Sequence, residues 1–160
     1  MTAPVDVESL QGARLYLSAT LPDTYDQAGY ESTDIVWTEV AEIENFGNHG
    51  GSKTITPFIP VATGIVAKVG GSKDYGTMAL MLGNLASDQG QALLRTAFEA
   101  SNTHYSVKIV YSDGAAVTPE KHYLDVLVAK LENQEGGAND VRKLSVELAL
   151  CRKPVVVVPT

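Results

Sequence analysis

Three histidines, one cysteine and nineteen carboxylates are the residues of this 160-residue chain with chemistry to offer. His49, His104 and His122 lie far apart and share none of the short spacings that seat a metal ion from one helix or one turn. Cys151 is alone, so it has no partner for an internal disulfide, and it reads as a small hydrophobe at the end of a strand. Gly50-Gly51-Ser52-Lys53 and Gly70-Gly71-Ser72-Lys73 imitate a phosphate loop. The order is wrong, because a phosphate loop places Lys before Ser or Thr and leads into a helix, whereas strands follow here. The two copies read as a coincidence of turn composition. No pair of carboxylates is placed by spacing for acid–base work. Catalysis, a cofactor and a metal are therefore not expected.

The elements that would position any site are mostly strands. Residues 74–113 are the centre of the chain. Met78, Leu80 and Leu82 alternate with Tyr75, Thr77, Ala79 and Met81, the spacing of a strand. Ser87 and Asp88 then offer N-cap oxygens, and Gln91 stands in capping-box position. Leu94, Ala97, Phe98 and Ser101 share one helical face, so one helix is expected over about residues 88–101, with Asn102 tolerating the left-handed backbone that ends it. Tyr105, Val107, Ile109 and Tyr111 form one face of the next strand, closed by the turn pair Asp113-Gly114. Further strands are expected at 12–19, at 35–46 as one long strand carrying Trp37, at 64–69, at 123–131 and at 141–151. Residues 21–33 and 133–139 read as loops. The fold class is mainly β (α+β): antiparallel strands in a sandwich or barrel, flanked by one helix, in a single domain over 1–160.

Three segments have no place in that core. Residues 1–11 read as an N-terminal arm. Residues 44–64 read as a long projecting loop or hairpin with a flexible tip at Gly47 to Ser52 and apolar residues in its limbs. Residues 152–160, with Val155 and Val157 between two prolines, form an apolar tail that must dock to avoid aggregation. The N-terminus lacks the basic and apolar regions of an export signal, and no run is long and apolar enough to span a membrane, so membrane insertion is not expected. The formal charge of −7 opposes nucleic-acid binding by phosphate neutralisation.

Four stretches carry a resemblance: Leu21-Pro22 with TYDQAGYES, WTEVAEIENFGNHGG, ASDQGQALLRTAFEASNTHYSVKIVYSDG, and YLDVLVAKLENQEGG before the last strand. In this order and spacing the chain resembles the major tail tube proteins of long-tailed, non-contractile, lambda-like bacteriophages. The resemblance implies a structural virion protein, made in the host cytoplasm. It implies hexameric rings of this chain, stacked into a hollow tail tube that conducts double-stranded DNA without binding it specifically. The implied partners are further copies of the chain, the tape measure protein, and tail tip and tail terminator proteins. Inter-subunit contacts are then expected from Phe46, His49, Gly50, Gly51, Ile55, Phe58 and Ile59 of the arm, and from Val155 and Val157 of the tail. Strand faces left polar once the core is assigned supply candidates for the channel wall: Glu42, Glu44, Asp125, Ser145 and Glu147. Alternative readings are a baseplate, connector or secretion-system tube subunit of related fold, and a small-molecule-binding β-barrel, which would leave the arm and the tail without a role.

Overall fold

In the computed structural model, which describes residues 9–112 and 117–160, the expected alternation becomes one curled antiparallel sheet. Its strands in chain order are β1 (Arg14–Ser18), β2 (Thr38–Val40), β3 (Ile43–Asn45), β6 (Thr77–Gly83), β7 (Tyr105–Val110), β8 (Lys121–Gln134), β9 (Lys143–Leu150) and β10 (Val155–Val157). Two more strands, β4 (Ser52–Phe58) and β5 (Ala67–Asp74), form a separate two-stranded ribbon. The sheet runs β2-β1-β7-β8-β9-β6-β3, with β10 added to the start of β8. The sequence-predicted mainly β fold with one flanking helix is what the chain adopts. The N-terminal part of the 1–11 arm and the Asp113-Gly114 turn lie outside the described residues.

β2 and β3 stand at opposite ends of the strand order, yet only Ala41 and Glu42 separate them in the chain. The sheet therefore rolls round until its two edges meet at this pair. Here the expected single strand over 35–46 is corrected. Glu42 adopts φ 62°, a left-handed conformation that breaks the ladder and sends the chain from one edge to the other. Inside the roll, Leu15, Leu17, Met78, Leu80, Leu82, Val107, Ile109, Leu124, Leu144, Val146 and Leu148 form one core. The period-two pattern on β6 and β9 places these residues inward without exception.

The helix α2 (Gln89–Glu99) packs Leu94 and Ala97 into this core. Asp88 caps it: its carboxylate accepts from Gln91 N–H at 2.9 Å and also from Ala41 N–H at 3.2 Å. The buried Gln91 amide donates to the carbonyls of Ala41 and Gly83 at 3.1 and 2.8 Å, and its own oxygen accepts from Leu85 N–H. These bonds satisfy backbone groups of Ala41, where the ladder is interrupted between β2 and β3, and of Gly83 and Leu85 at the end of β6. Gly90 allows the approach, because a β-carbon there would overlap the Glu39 carbonyl. The face expected for the helix is correct at Leu94 and Ala97, but Phe98 stays 40% exposed. Asn102 takes φ 48°, the left-handed backbone its sequence position suggests.

The segment 21–33 is not only loop. Asp26 accepts from Gly29 N–H at 2.8 Å and starts a single helical turn, α1 (Gln27–Tyr30). Tyr30 stacks on Tyr123 with ring centroids 5.0 Å apart, and Val157 closes over both, with Trp37 and Val155 at the rim. A second, smaller core thus lies on the outer face of β8. The tail docks on its own chain: Val155 pairs with Tyr123 and Val157 with Lys121.

Candidate assembly surfaces

Three surfaces gather the residues that sequence reasoning singled out. The first is the ribbon. β4 and β5 pair antiparallel from Ser52 opposite Asp74 to Phe58 opposite Ala67, with a bulge after Lys53. The projecting arm is therefore 52–74 and not 44–64. Its tip is the apolar turn at 59–66, and Gly47 to Ser52 lies at its root. The strand expected at 64–69 is β5 at Ala67–Asp74, and its second half was missed because Gly70 and Gly71 read as turn residues. The two Gly-Gly-Ser-Lys copies meet only at their lysines, where Lys53 pairs with Lys73; Ser52 pairs with Asp74 and Gly70 with Ile55. Every residue of both strands is exposed. Phe58 is 58% exposed, Ile65 72% and Val61 fully so, with Ile55, Ile59 and Val69 beside them. The ribbon strands carry Lys53, Lys68 and Lys73 against one acid, Asp74.

The second surface is the outer face of β3, β6 and β9. Glu44, Ser145 and Glu147 share it, as the register of Met81 with Ser145 and Ala79 with Glu147 requires. Two lysines partly offset the carboxylates: Lys143 lies 2.8 Å from Glu44, and Lys130 lies 3.7 Å from Glu147 and 3.4 Å from Glu132. The face is less acidic than its glutamates alone suggest. Glu42 is exposed at its margin, beside Gly83.

The third grouping corrects a wall candidate. Asp125 is 1% exposed and belongs to the outer core, not to a solvated face. Its carboxylate accepts from His104 Nδ1 at 3.0 Å and from Arg152 Nε at 3.0 Å, and its carbonyl accepts from Cys151 N–H. The Arg152 guanidinium also lies 3.9 Å over the Tyr25 ring. A clue was available in the sequence: Asp125 shares a strand face with Tyr123 and Leu127, which is not the company of a solvated residue. Burial, with the charge of Glu31 and its hydrogen bond, pushes the Tyr123 phenol up to about 12, and burial followed by the Asp125 charge raises Tyr30 as well. Both therefore act at neutral pH as uncharged packing groups. Val155 and Val157 are likewise corrected as inter-subunit candidates, because Val157 is buried against Tyr30 and Tyr123 in its own chain.

Of the remaining arm candidates, Phe46 packs against the main core and Gly51 lies against Tyr75. Gly50 is exposed. His49 is tied to His122, with 2.7 Å between His49 Nε2 and His122 Nδ1. Sequence reasoning kept these two histidines apart, and only the fold brings them together. Among the described residues, no group of three or more His, Cys, Asp or Glu is arranged to hold a metal ion, and no helix is long and apolar enough to cross a membrane.

No protein-family model matches the sequence, and no curated protein does. Solved structures do match the fold. A chain of the anti-feeding prophage baseplate superposes with a TM-score of 0.72 at 11% identity, covering 99% of this chain and 98% of that one. A chain of the sheath/tube terminator of an extracellular contractile injection system gives 0.70 at 9% identity, covering 97% and 99%. The SPP1 tail tube protein gives 0.57 at 10% identity, covering 91% and 77%. The chain has the fold shared by these tube, baseplate and terminator subunits.

Proposed function

We propose that this chain is a structural subunit of a phage-type tail tube. Copies of it form six-membered rings, and the rings stack into a hollow conduit for double-stranded DNA in the virion, after assembly in the host cytoplasm. The observation that carries the reading is the exposed β4–β5 ribbon. A two-stranded ribbon is marginal alone, and this one has two unpaired edges and an uncharged apolar tip. Such a surface calls for a neighbour, and further copies of the chain supply one whose body is acidic where the ribbon is basic. The tube fold of its structural neighbours supports the same conclusion. Head-to-tail contacts that close give rings, and repeated ring contacts give a filament. Tape measure, tail tip and terminator proteins are the further partners of this reading, and no catalytic turnover belongs to it. Electron microscopy of the purified protein tests it.

A second reading has its own support. The baseplate and terminator chains match over nearly the whole chain with higher TM-scores than the tail tube does. In that reading the protein forms single rings at one end of a tube.

The outer face of β3, β6 and β9 is the proposed channel wall. Carboxylates there keep DNA from adhering, because each lysine or arginine gripping phosphate would add affinity and slow its passage. Glu42→Lys with Glu147→Lys is expected to change stability by less than about 1 kcal/mol, since both side chains reach solvent. Tubes carrying both lysines should retain DNA or deliver it more slowly, and added salt should relieve the effect. Normal delivery by intact double-variant tubes would place the wall elsewhere. Asp125 takes no part in this test, because it is buried.

A further inference from the structure

The segment between β3 and β4 holds the ribbon at its root. Gly47 adopts φ 65° and runs so close to Ala79 that a β-carbon would overlap its carbonyl, and Gly51 lies against the Tyr75 ring. Between these two points stands His49. Its Nε2 is 2.7 Å from Nδ1 of His122, and the far nitrogen of His122, Nε2, is 2.7 Å from a Glu120 carboxylate oxygen. Tyr111 Oη lies 3.4 Å from His122 Nδ1, and the imidazoles and the phenol meet edge to face. The titratable groups around His49 are His122 from β8, with Glu120 behind it, Tyr111 just after β7, and Asp74 and Tyr75, which line the same cleft at the end of β5.

At 2.7 Å, the two facing nitrogens hold one proton between them. His122 Nε2–H donates to Glu120, and the shared proton makes either His49 the donor and His122 the acceptor, or the reverse. When both imidazoles are fully protonated, two N–H groups point at each other, and neither can accept. The hydrogen bond is lost and two positive charges stand side by side. We propose that the His49–His122–Glu120 chain is a proton-operated latch. It fixes the direction in which the β4–β5 ribbon leaves the sheet, and a second proton on the histidine pair releases the root at 46–51. This inference does not depend on the proposed function.

The sign follows from the surroundings of His49. Burial, and then the neighbouring His122, lower its pKa from the ordinary 6.5. The folded state therefore favours neutral His49. The latch contributes its full stability above the ordinary imidazole value, and loses it as pH falls through that value towards the depressed one. Tyr111 stays neutral throughout, since burial and Glu120 raise its phenol.

Hydrogen exchange of the purified protein at about pH 7.5 and about pH 5.5, corrected for the intrinsic rate, tests the latch. Amides of 46–51 should exchange at least about tenfold faster, relative to the β7 and β9 amides, at the lower pH. His49→Gln should retain protection at both pH values, because its amide does not titrate and can donate to a bare His122 Nδ1 or accept from a protonated one. Wild-type protection that is the same at both pH values would overturn the proposal, as would a loss shared fully by His49→Gln. Should that variant be unprotected even at the higher pH, NMR titration of the two wild-type imidazoles decides. Two well-separated steps mark a shared proton, and two independent steps near the ordinary value overturn the latch.

Discussion

Asp125→Ala should lower the stability of the fold by about 2–4 kcal/mol, a fall in Tm of roughly 5–15 °C for a chain of this size. The carboxylate has no exposed side-chain surface, and two cationic or protonatable partners converge on it from different parts of the chain. His104 precedes β7, and Arg152 lies between β9 and β10. Removing Asp125 leaves both without an acceptor. It also unpins the Arg152 guanidinium from its place over Tyr25, and with it the register of the tail on β8. His104 and Arg152 are partly exposed, so water recovers some of the loss, and the effect should fall short of that for a fully buried ion pair. Asp125→Asn keeps the shape and one acceptor oxygen, and should cost less than half as much. Asp125→Lys would bury an ammonium beside Arg152 and should prevent the outer core from forming. Thermal unfolding checks all three variants. An Asp125→Ala protein within about 2 °C of wild type would show that the cluster holds nothing together.

Removing the ribbon should have the opposite profile, with assembly abolished and the fold intact. Ser52 and Asp74 are register partners, so deleting 53–73 and joining them through an Asn-Gly turn closes the gap with a favoured two-residue hairpin. No residue lost in that deletion belongs to either core. The shortened protein should therefore unfold within about 3 °C of wild type, yet sediment as a monomer where wild type forms large assemblies. Phe58→Asp is the milder form. It places a charge on the apolar end of β4 and should weaken assembly at least about tenfold, the cost of burying an unpaired carboxylate at a contact. Assembly that survives the deletion would mean the ribbon is not the contact.

What the sequence made legible follows from periodicity and capping. β9 reads directly because Leu144, Val146, Leu148 and Leu150 alternate with residues of a different character. α2 reads directly because Asp88 and Gln91 satisfy its first turn within a few residues. Three features were hidden for physical reasons. The break between β2 and β3 rests on a glutamate in a left-handed conformation, with the neighbouring Ala41 held by Asp88 and Gln91 almost fifty residues away, and Glu42 itself carries no mark of it. The second half of β5, beyond the strand expected at 64–69, contains Gly70 and Gly71, whose local preference is for turns, and only pairing with β4 holds them extended. His49 and His122 owe their roles to partners distant in sequence, so their types and local spacing point only to surface positions; the strand-face neighbours of Asp125 hint at burial, but its two partners come together only in the fold. The candidate wall residues are intermediate. The outward face carrying Glu44, Ser145 and Glu147 could be read from alternation, while its lysine partners depended on strand order.

Electron microscopy of the purified, full-length protein is the most direct test of a tube subunit. The account predicts hollow tubes of stacked six-fold rings, with density for the 52–74 ribbon running into a neighbouring copy. Isolated rings that never stack would favour the tube-end reading. Monomers without order, at concentrations where tubes should form, would contradict the account.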